Sequence, residues 1–203
     1  MKKIQFKIAR AGAAMLSSLL LTGLSVSNLH AQNKYQTAGG VNIVIEGTSN
    51  IHDWDMKSSK GSSSGTFTVG SDGSLSDVAG LSFSMPAESL KSEHSAMDNN
   101  TYKALNTNKY QSISFSAASA SVKHNGGSSY LLSIPGKLTI SGVTKDVQLL
   151  ANCVVNGDKS ISCTGSYKLK MTDYKVNPPS IMFGAIKTGN DITVKFNLVL
   201  RSI

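Results

Sequence analysis

The sequence is short of the side chains that carry out chemistry. Among its 203 residues are two cysteines and four histidines, and no H-x-H, H-E-x-x-H or His/Asp/Ser chain of recognisable spacing occurs. Two cysteines without histidine neighbours are too few for a zinc site, so no metal is expected. The many serines include no G-x-S-x-G elbow, which removes the commonest hydrolase nucleophile. Asp53 and Asp55 share a strand face but read as solvated turn residues rather than as an acid–base pair. With neither a nucleophile nor a base to name, the chain is read as no enzyme and no catalytic residue is assigned. Its lysines (Lys57, Lys60, Lys91, Lys123 and others) are scattered and not interleaved with aromatics, so nucleic acid is not an expected partner. Repeats, a βαβ rhythm and low-complexity tracts are also missing, apart from a serine- and glycine-rich run over 58–65.

The N-terminus is the one long apolar run. Lys2, Lys3, Lys7 and Arg10 precede a mostly apolar Ala11–Val26, and Asn28-Leu29-His30-Ala31 offers a processing site before Gln32. This is the pattern of a secretory signal peptide over residues 1–31. Ser17, Ser18, Thr22 and Gly23 interrupt its apolar core, making it short for a membrane span. No cysteine lies near the cleavage point to accept a lipid. The expected location is periplasmic or secreted, with no integral membrane span after cleavage. The leader carries four of the 20 basic residues and none of the 12 acidic ones, so the remainder has a net charge of +4 rather than +8. Residues 32–203 suit a single domain with a substantial core.

What the sequence has in quantity is alternation. From Tyr130 to Leu150 one parity holds Tyr130, Leu132, Ile134, Gly136, Leu138 and Ile140 while the other is mostly polar, the signature of a half-buried strand. Ser141-Gly142 interrupts the run, which resumes at Val147, Leu149 and Ala151, predicting a long antiparallel hairpin. Other strands are predicted over 41–48, 66–69, 75–85, 112–122 and 191–200, with a cysteine hairpin reaching residue 169. The run 58–65 reads as a loop. If Gly157-Asp158-Lys159 is a three-residue hairpin loop, Cys153 and Cys163 face each other across the two strands, and an oxidising compartment would join them as a disulfide. Residues 86–108 differ. Ala87, Leu90, His94 and Met97 recur at spacings of three and four, continued by Tyr102 and Leu105, predicting two short helices with a break near Asp98–Asn100. The fold class is all-β, with eight antiparallel strands, enough to close a barrel around one small ligand, and a helical insertion over about 87–107.

Four segments carry a family likeness: GTSNIHDW (47–54), MDNNTYKALNTNKYQSISF (97–115), GKLTISGVTKDVQL (136–149) and MTDYKVNPPSIMFGAIKTGNDITVKFNLVL (171–200). Together they resemble the YceI-like family across essentially the whole exported chain, with the NIHDW form marking a subgroup. Asp146 and Gln111 stand where that pattern has prolines, at turn or strand-edge positions. The resemblance implies a lipocalin-like barrel that holds a polyisoprenoid or related long-chain amphiphile.

Residues alone leave open whether the barrel is solid or hollow; the resemblance implies hollow. The candidate lining residues are Phe67, Leu81, Phe83 and Met85 on early strands, and Phe115, Leu132, Ile134, Leu138 and Ile140 on later ones. Leu90, Met97, Tyr102 and Leu105 of the insert would cap one mouth, and Met182 and Phe183 would lie before the last strand. His52 and Trp54 are rim or structural candidates; His52 and Asp53, being adjacent on a strand, point to opposite faces. Lys103, Lys145 and Lys187 are possible rim groups, although a scattered lysine is ordinarily a solvated one. No cofactor is expected beyond a bound isoprenoid or quinone-like lipid, and a homodimer is possible. The rival expectation is a filled-core barrel acting through its surface in envelope stress response, adhesion or assembly.

Overall fold

The computed structural model describes residues 32–203; the signal peptide expected over 1–31 lies outside the described residues. The alternating segments become β1 Gln32–Thr37, β2 Asn42–Ser49, β3 Asp53–Ser58, β4 Ser62–Val69 and β5 Leu75–Pro86. They continue as β6 Ser112–His124, β7 Ser129–Ile140, β8 Val143–Val155 and β9 Ile161–Lys170. A two-residue β10, Ser180–Ile181, precedes β11, Ile186–Ser202. Between β5 and β6 lie a 3-10 turn, Ala87–Ser89, and one helix, α1, Ser95–Leu105.

Strand pairing runs β1-β4-β5-β6-β7-β8-β9-β11, and β11 returns to β1, closing an eight-stranded antiparallel barrel. β2 and β3 extend it. β11 holds β2 against Thr188–Asn197 and β1 against Leu200–Ser202 on the same edge, so β1 and β2 act as two halves of one stave. β4 pairs with β1 and β3 with β2, making the second stave in the same way. All neighbours are antiparallel, as short connections demand.

The hairpins follow local chemistry. β7 and β8 pair from Ile140 opposite Val143 to Ser129 opposite Val154, around the two-residue turn Ser141-Gly142. Both turn residues have positive φ, 48° and 74°, the geometry that matches the right-handed twist of a tight hairpin. β8 and β9 pair with Cys153 opposite Cys163, and the two form a disulfide. The turn is the predicted three-residue loop, with Asn156 N–H donating to Ser160 O and Lys159 in the left-handed region.

Five expectations need correction. Asp53 and Asp55, read as turn residues, and Ser58, read as the start of a loop, all belong to strand β3, Asp53–Ser58, which pairs with β2. β1 went unpredicted because Gln32–Thr37 has no clean alternation; it is a strand because two neighbours pair with it. Ser62–Gly65 belongs to β4 rather than to a loop. Two of its hydroxyls are satisfied in the wall: Ser63 Oγ donates to Ser82 O at 3.0 Å, and Ser64 and Ser82 share a hydroxyl bond at 2.9 Å. The insert holds one α-helix, unbroken at Asp98–Asn100. The Asp98 carboxylate accepts from Ser92 N–H (2.7 Å) and Ser92 Oγ (2.9 Å), which anchors the helix start instead of breaking it. β11 begins at Ile186, five residues before the predicted 191, because Asn50 in the β2–β3 turn accepts from Lys187 N–H and extends the pairing.

The core has two parts. One seals the end bearing the disulfide: Tyr35, Phe67, Val78, Leu132 and Ile161 are buried there, with Tyr35 and Phe67 edge to face at 5.2 Å. The other surrounds the opposite end and includes Met56, Leu90, Leu105, Met171 and Tyr174. At that opposite end, among the described residues, β3 meets no strand on its outer edge beyond one bridge, Lys57 with Lys91, and the helical insert occupies the gap.

Candidate functional site

Inward-facing side chains of a barrel normally fill it. Here they leave a cavity of about 470 Å³ that runs from the disulfide to the end carrying α1. That volume falls within the range of small-molecule sites. Leu81, Phe83, Leu138, Leu149, Phe196 and Leu198 point inward yet are only partly covered, because the far side of each is void.

Glycines keep the lumen open. Phe196 on β11 lies opposite Gly165 on β9, and a Cβ at Gly165 would run into that ring and come within 2.5 Å of Leu150 O. Phe115 lies over Gly136, and Trp54 over Gly47 opposite it on β2. Each ring therefore lies flat along the wall over the bare backbone of its neighbour and does not project into the lumen.

The predicted lining residues mostly converge. Phe67, Leu81, Phe83 and Met85 line the cavity from β4 and β5, and Phe115, Leu132, Ile134, Leu138 and Ile140 from β6 and β7. Leu90, Met97 and Leu105 close it from the insert. Tyr102 does not line it. Its hydroxyl shares its one proton between Glu88 O (2.9 Å) and Leu90 O (2.8 Å), and Lys91 Nζ sits 4.9 Å from its ring. Phe183 is also outside: it occupies a left-handed turn, φ 54°, and is fully exposed. The side chain of Met182 lies outside the described part of the structure. Lys103, Lys145 and Lys187 are exposed and none contributes to the lining.

His52 and Trp54 stand at the mouth. The indole N–H donates to Thr48 O at 2.9 Å, and His52 Nδ1 lies 2.7 Å from Asp53 O, so both side chains brace the β2–β3 turn. His94, also at the mouth, is the helix N-cap residue but makes no side-chain capping bond. Among the described residues no three His, Cys, Asp or Glu side chains gather as metal ligands would. Asp55 is paired with Lys57 at 2.8 Å, in solvent.

The sequence reading missed one wall and one polar feature. Ile43, Ile45 and Met56 line the cavity from β2 and β3, and Tyr167, Leu169 and Met171 from β9 and the turn after it. The spacing of two between Tyr167, Leu169 and Met171 was a usable signal. Tyr174 had none, since it sits in the 3-10 turn Met171–Tyr174 after β9. Only 2 % exposed, it borders the cavity, and its hydroxyl makes no hydrogen bond with another described residue. Burial, and then the nearby Tyr167 and Asp173, push its pKa up to about 12, so the phenol remains a proton donor in any physiological medium.

Comparison with known proteins follows the same lines. Residues 27–200 match the YceI-like domain. "Protein YceI" of Shigella flexneri is 32% identical over 119 residues, covering 55% of this chain and 59% of its own length, so the chain spans about three-fifths of that relative. A polyisoprenoid binding domain from Saccharophagus degradans, implicated in plant cell wall breakdown, superposes with a TM-score of 0.61 at 12% identity, over 83% of this chain and 98% of that one. BcnA of Burkholderia cenocepacia gives a TM-score of 0.58 at 16% identity, over 78% and 95%. At such identities the superpositions speak to the barrel and its topology. The domain match spans nearly the whole described chain, and the protein belongs to the YceI-like family.

Proposed function

We propose that this protein is an exported carrier or buffer of a polyisoprenoid or similar long-chain amphiphile, held in the barrel lumen and bound without catalysis. The observation that carries the reading is the open, apolar cavity of about 470 Å³. The polyisoprenoid-binding character of the Saccharophagus degradans domain, built on the same barrel, supports it. A signal-type leader ahead of Gln32 supports export to the periplasm or beyond.

The energetics favour a chain. Each methylene moved from water into an apolar site contributes about 0.8 kcal/mol. A twenty-carbon chain thus supplies roughly 16 kcal/mol, enough to exceed an association cost of about 4–15 kcal/mol. A smooth apolar wall discriminates poorly by chain length until the lumen is full. The polar end has few partners inside. The buried Tyr174 hydroxyl is a donor that would meet an oxygen of the ligand, such as the carbonyl of a quinone-like head. A filled barrel working only through its outer surface is the poorer account, because the interior is void.

The test is a titration of the purified protein with prenyl alcohols of graded length, delivered from detergent and followed by calorimetry. Affinity should rise steeply with each added unit and level off once the cavity is occupied. No heat and no uptake at any length would overturn the reading.

A further inference from the structure

The rim of the cavity carries exposed apolar side chains, one of which, Ile51, also lines the mouth. Ile51, at the tip of the β2–β3 turn, is 57% exposed, and Phe183 is fully exposed. The two tips form one unit. Asn50 Nδ2 donates to Ala185 O at 2.9 Å, Lys187 N–H donates to Asn50 Oδ1 at 2.8 Å, and Asn50 N–H donates to Lys187 O at 3.1 Å. Ser180 pairs with Lys187 and Ile181 with Ile186, so Phe183 tops a small hairpin. Pro179 and Ile186, at the foot of that hairpin, line the cavity, which places the tip beyond the mouth.

The backbone at Phe183 makes the exposure more telling. Its φ of 54° and ψ of 31° lie in the left-handed region, which is unfavourable for a bulky residue. A loop free of other demands would carry glycine or asparagine there. This one turns an aromatic ring outward, where no packing offsets the conformation. Lys187 in the same hairpin and Lys175 in the preceding loop are exposed, and neither forms an ion pair with a described residue. An aromatic tip flanked by unpaired lysines is the composition that seats a protein at a lipid headgroup boundary.

We propose that the open end of the barrel docks on the surface of a bilayer containing anionic lipid, with Phe183 and Ile51 entering the headgroup region and Lys175 and Lys187 meeting lipid phosphates. This orientation turns the cavity mouth toward the acyl chains, so an apolar ligand passes between bilayer and lumen without crossing water. The docking surface does not depend on which chain the lumen holds.

The molecule carries its own reporter, because its single tryptophan, Trp54, lines the mouth. The experiment uses the exported chain with vesicles of phosphatidylcholine, with or without phosphatidylglycerol, bearing brominated acyl chains to quench Trp54. Quenching and co-flotation are expected with the mixed vesicles and should weaken as salt is raised. F183S combined with I51S should weaken vesicle binding about tenfold or more, as loss of two buried apolar side chains implies. F183S alone, at a residue that does not line the cavity, should also weaken vesicle binding while keeping its thermal midpoint and its equilibrium uptake of a detergent-delivered prenyl alcohol. L150S removes from the outer wall an apolar side chain exposed to a degree similar to Ile51 and should leave vesicle binding unchanged. Absence of vesicle binding by the parent chain, or an equal loss in L150S, would overturn the docking proposal. Failure of detergent-delivered uptake would instead count against the lumen's role as a lipid site.

Discussion

Two residues shape the lumen: a glycine keeps it open, and a buried tyrosine adds a proton donor to its wall. Gly165 matters for the space it does not fill. G165A would press a methyl group against the Phe196 ring and the Leu150 carbonyl, destabilising the barrel by about 1–3 kcal/mol, as overpacking does, and turning the ring toward the lumen. Chemical denaturation should show the loss, and the longest prenyl chain accepted should shorten. Tyr174 matters for its proton. Y174F should weaken binding of an oxygen-bearing prenyl lipid by roughly threefold to tenfold, the value of one hydrogen bond, while a pure hydrocarbon of the same length binds as before. Because the folded pKa is raised to about 12 from 10.0, the native phenol keeps its proton while the unfolded chain releases its own. Tyr174 therefore supports the fold fully below pH 10, and that support is lost as pH rises toward 12. A pH-resolved unfolding series comparing Y174F with the parent reads this directly. Neither residue's role was legible in the sequence. Gly165 sits two residues after a cysteine in a strand that reads acceptably with or without it, and Tyr174 falls between the periodic runs of β9 and β11.

At the scale of elements, the strands with one clean apolar face were readable and those shaped by neighbours were not. β7, β8 and β9 announced themselves by alternation and turn residues, down to the register that sets Cys153 opposite Cys163. β1 and the first half of β4 are polar, and become strands because the barrel needs two further half-staves to close. The insert was legible as helical but not as one helix, since Asp98 reads as a breaker until Ser92 is seen to bind it. The insert closes the gap beside β3, and α1 itself reaches the barrel through Thr101 Oγ1 to Met56 Sδ and Ser141 Oγ to Leu105 O, which makes it the element expected to gate exchange. Y102F removes both hydroxyl bonds that tie α1 to the chain before it. It should cost about 1–3 kcal/mol locally and speed ligand release in a stopped-flow displacement assay, with the barrel's global melting little changed. Acid should act on the same element. Burial would raise the pKa of Asp98, but the bonds from Ser92 N–H and Oγ, with Lys91 beside them, outweigh it and hold the carboxyl below its usual 3.8. The stability it contributes is present above pH 3.8 and is lost as pH falls through the depressed value. Hydrogen exchange of α1 amides should rise in that window before exchange of the barrel strands does, and D98N should abolish the difference.

For the whole molecule, the central feature is that a closed eight-stranded barrel was left hollow. Its sealed end is fixed by the disulfide and by Tyr35 packed on Phe67, while the other end carries a helix, two short turns and an exposed aromatic tip. The alternation made the barrel legible, but no periodicity tells a filled lumen from an empty one, since both need apolar residues on the inner face. The difference lies in which glycines oppose which rings, a property of register rather than of composition. A hollow apolar lumen in water is an invitation to a lipid, and its occupant should travel with the protein. The decisive measurement is therefore native mass spectrometry of the protein recovered from cells expressing the full 203-residue chain, followed by solvent extraction of whatever it carries. The account predicts an adduct of one long-chain lipid, extractable and isoprenoid in character, that is lost on denaturation. A bare protein mass that stays bare after incubation with prenyl lipids would contradict it.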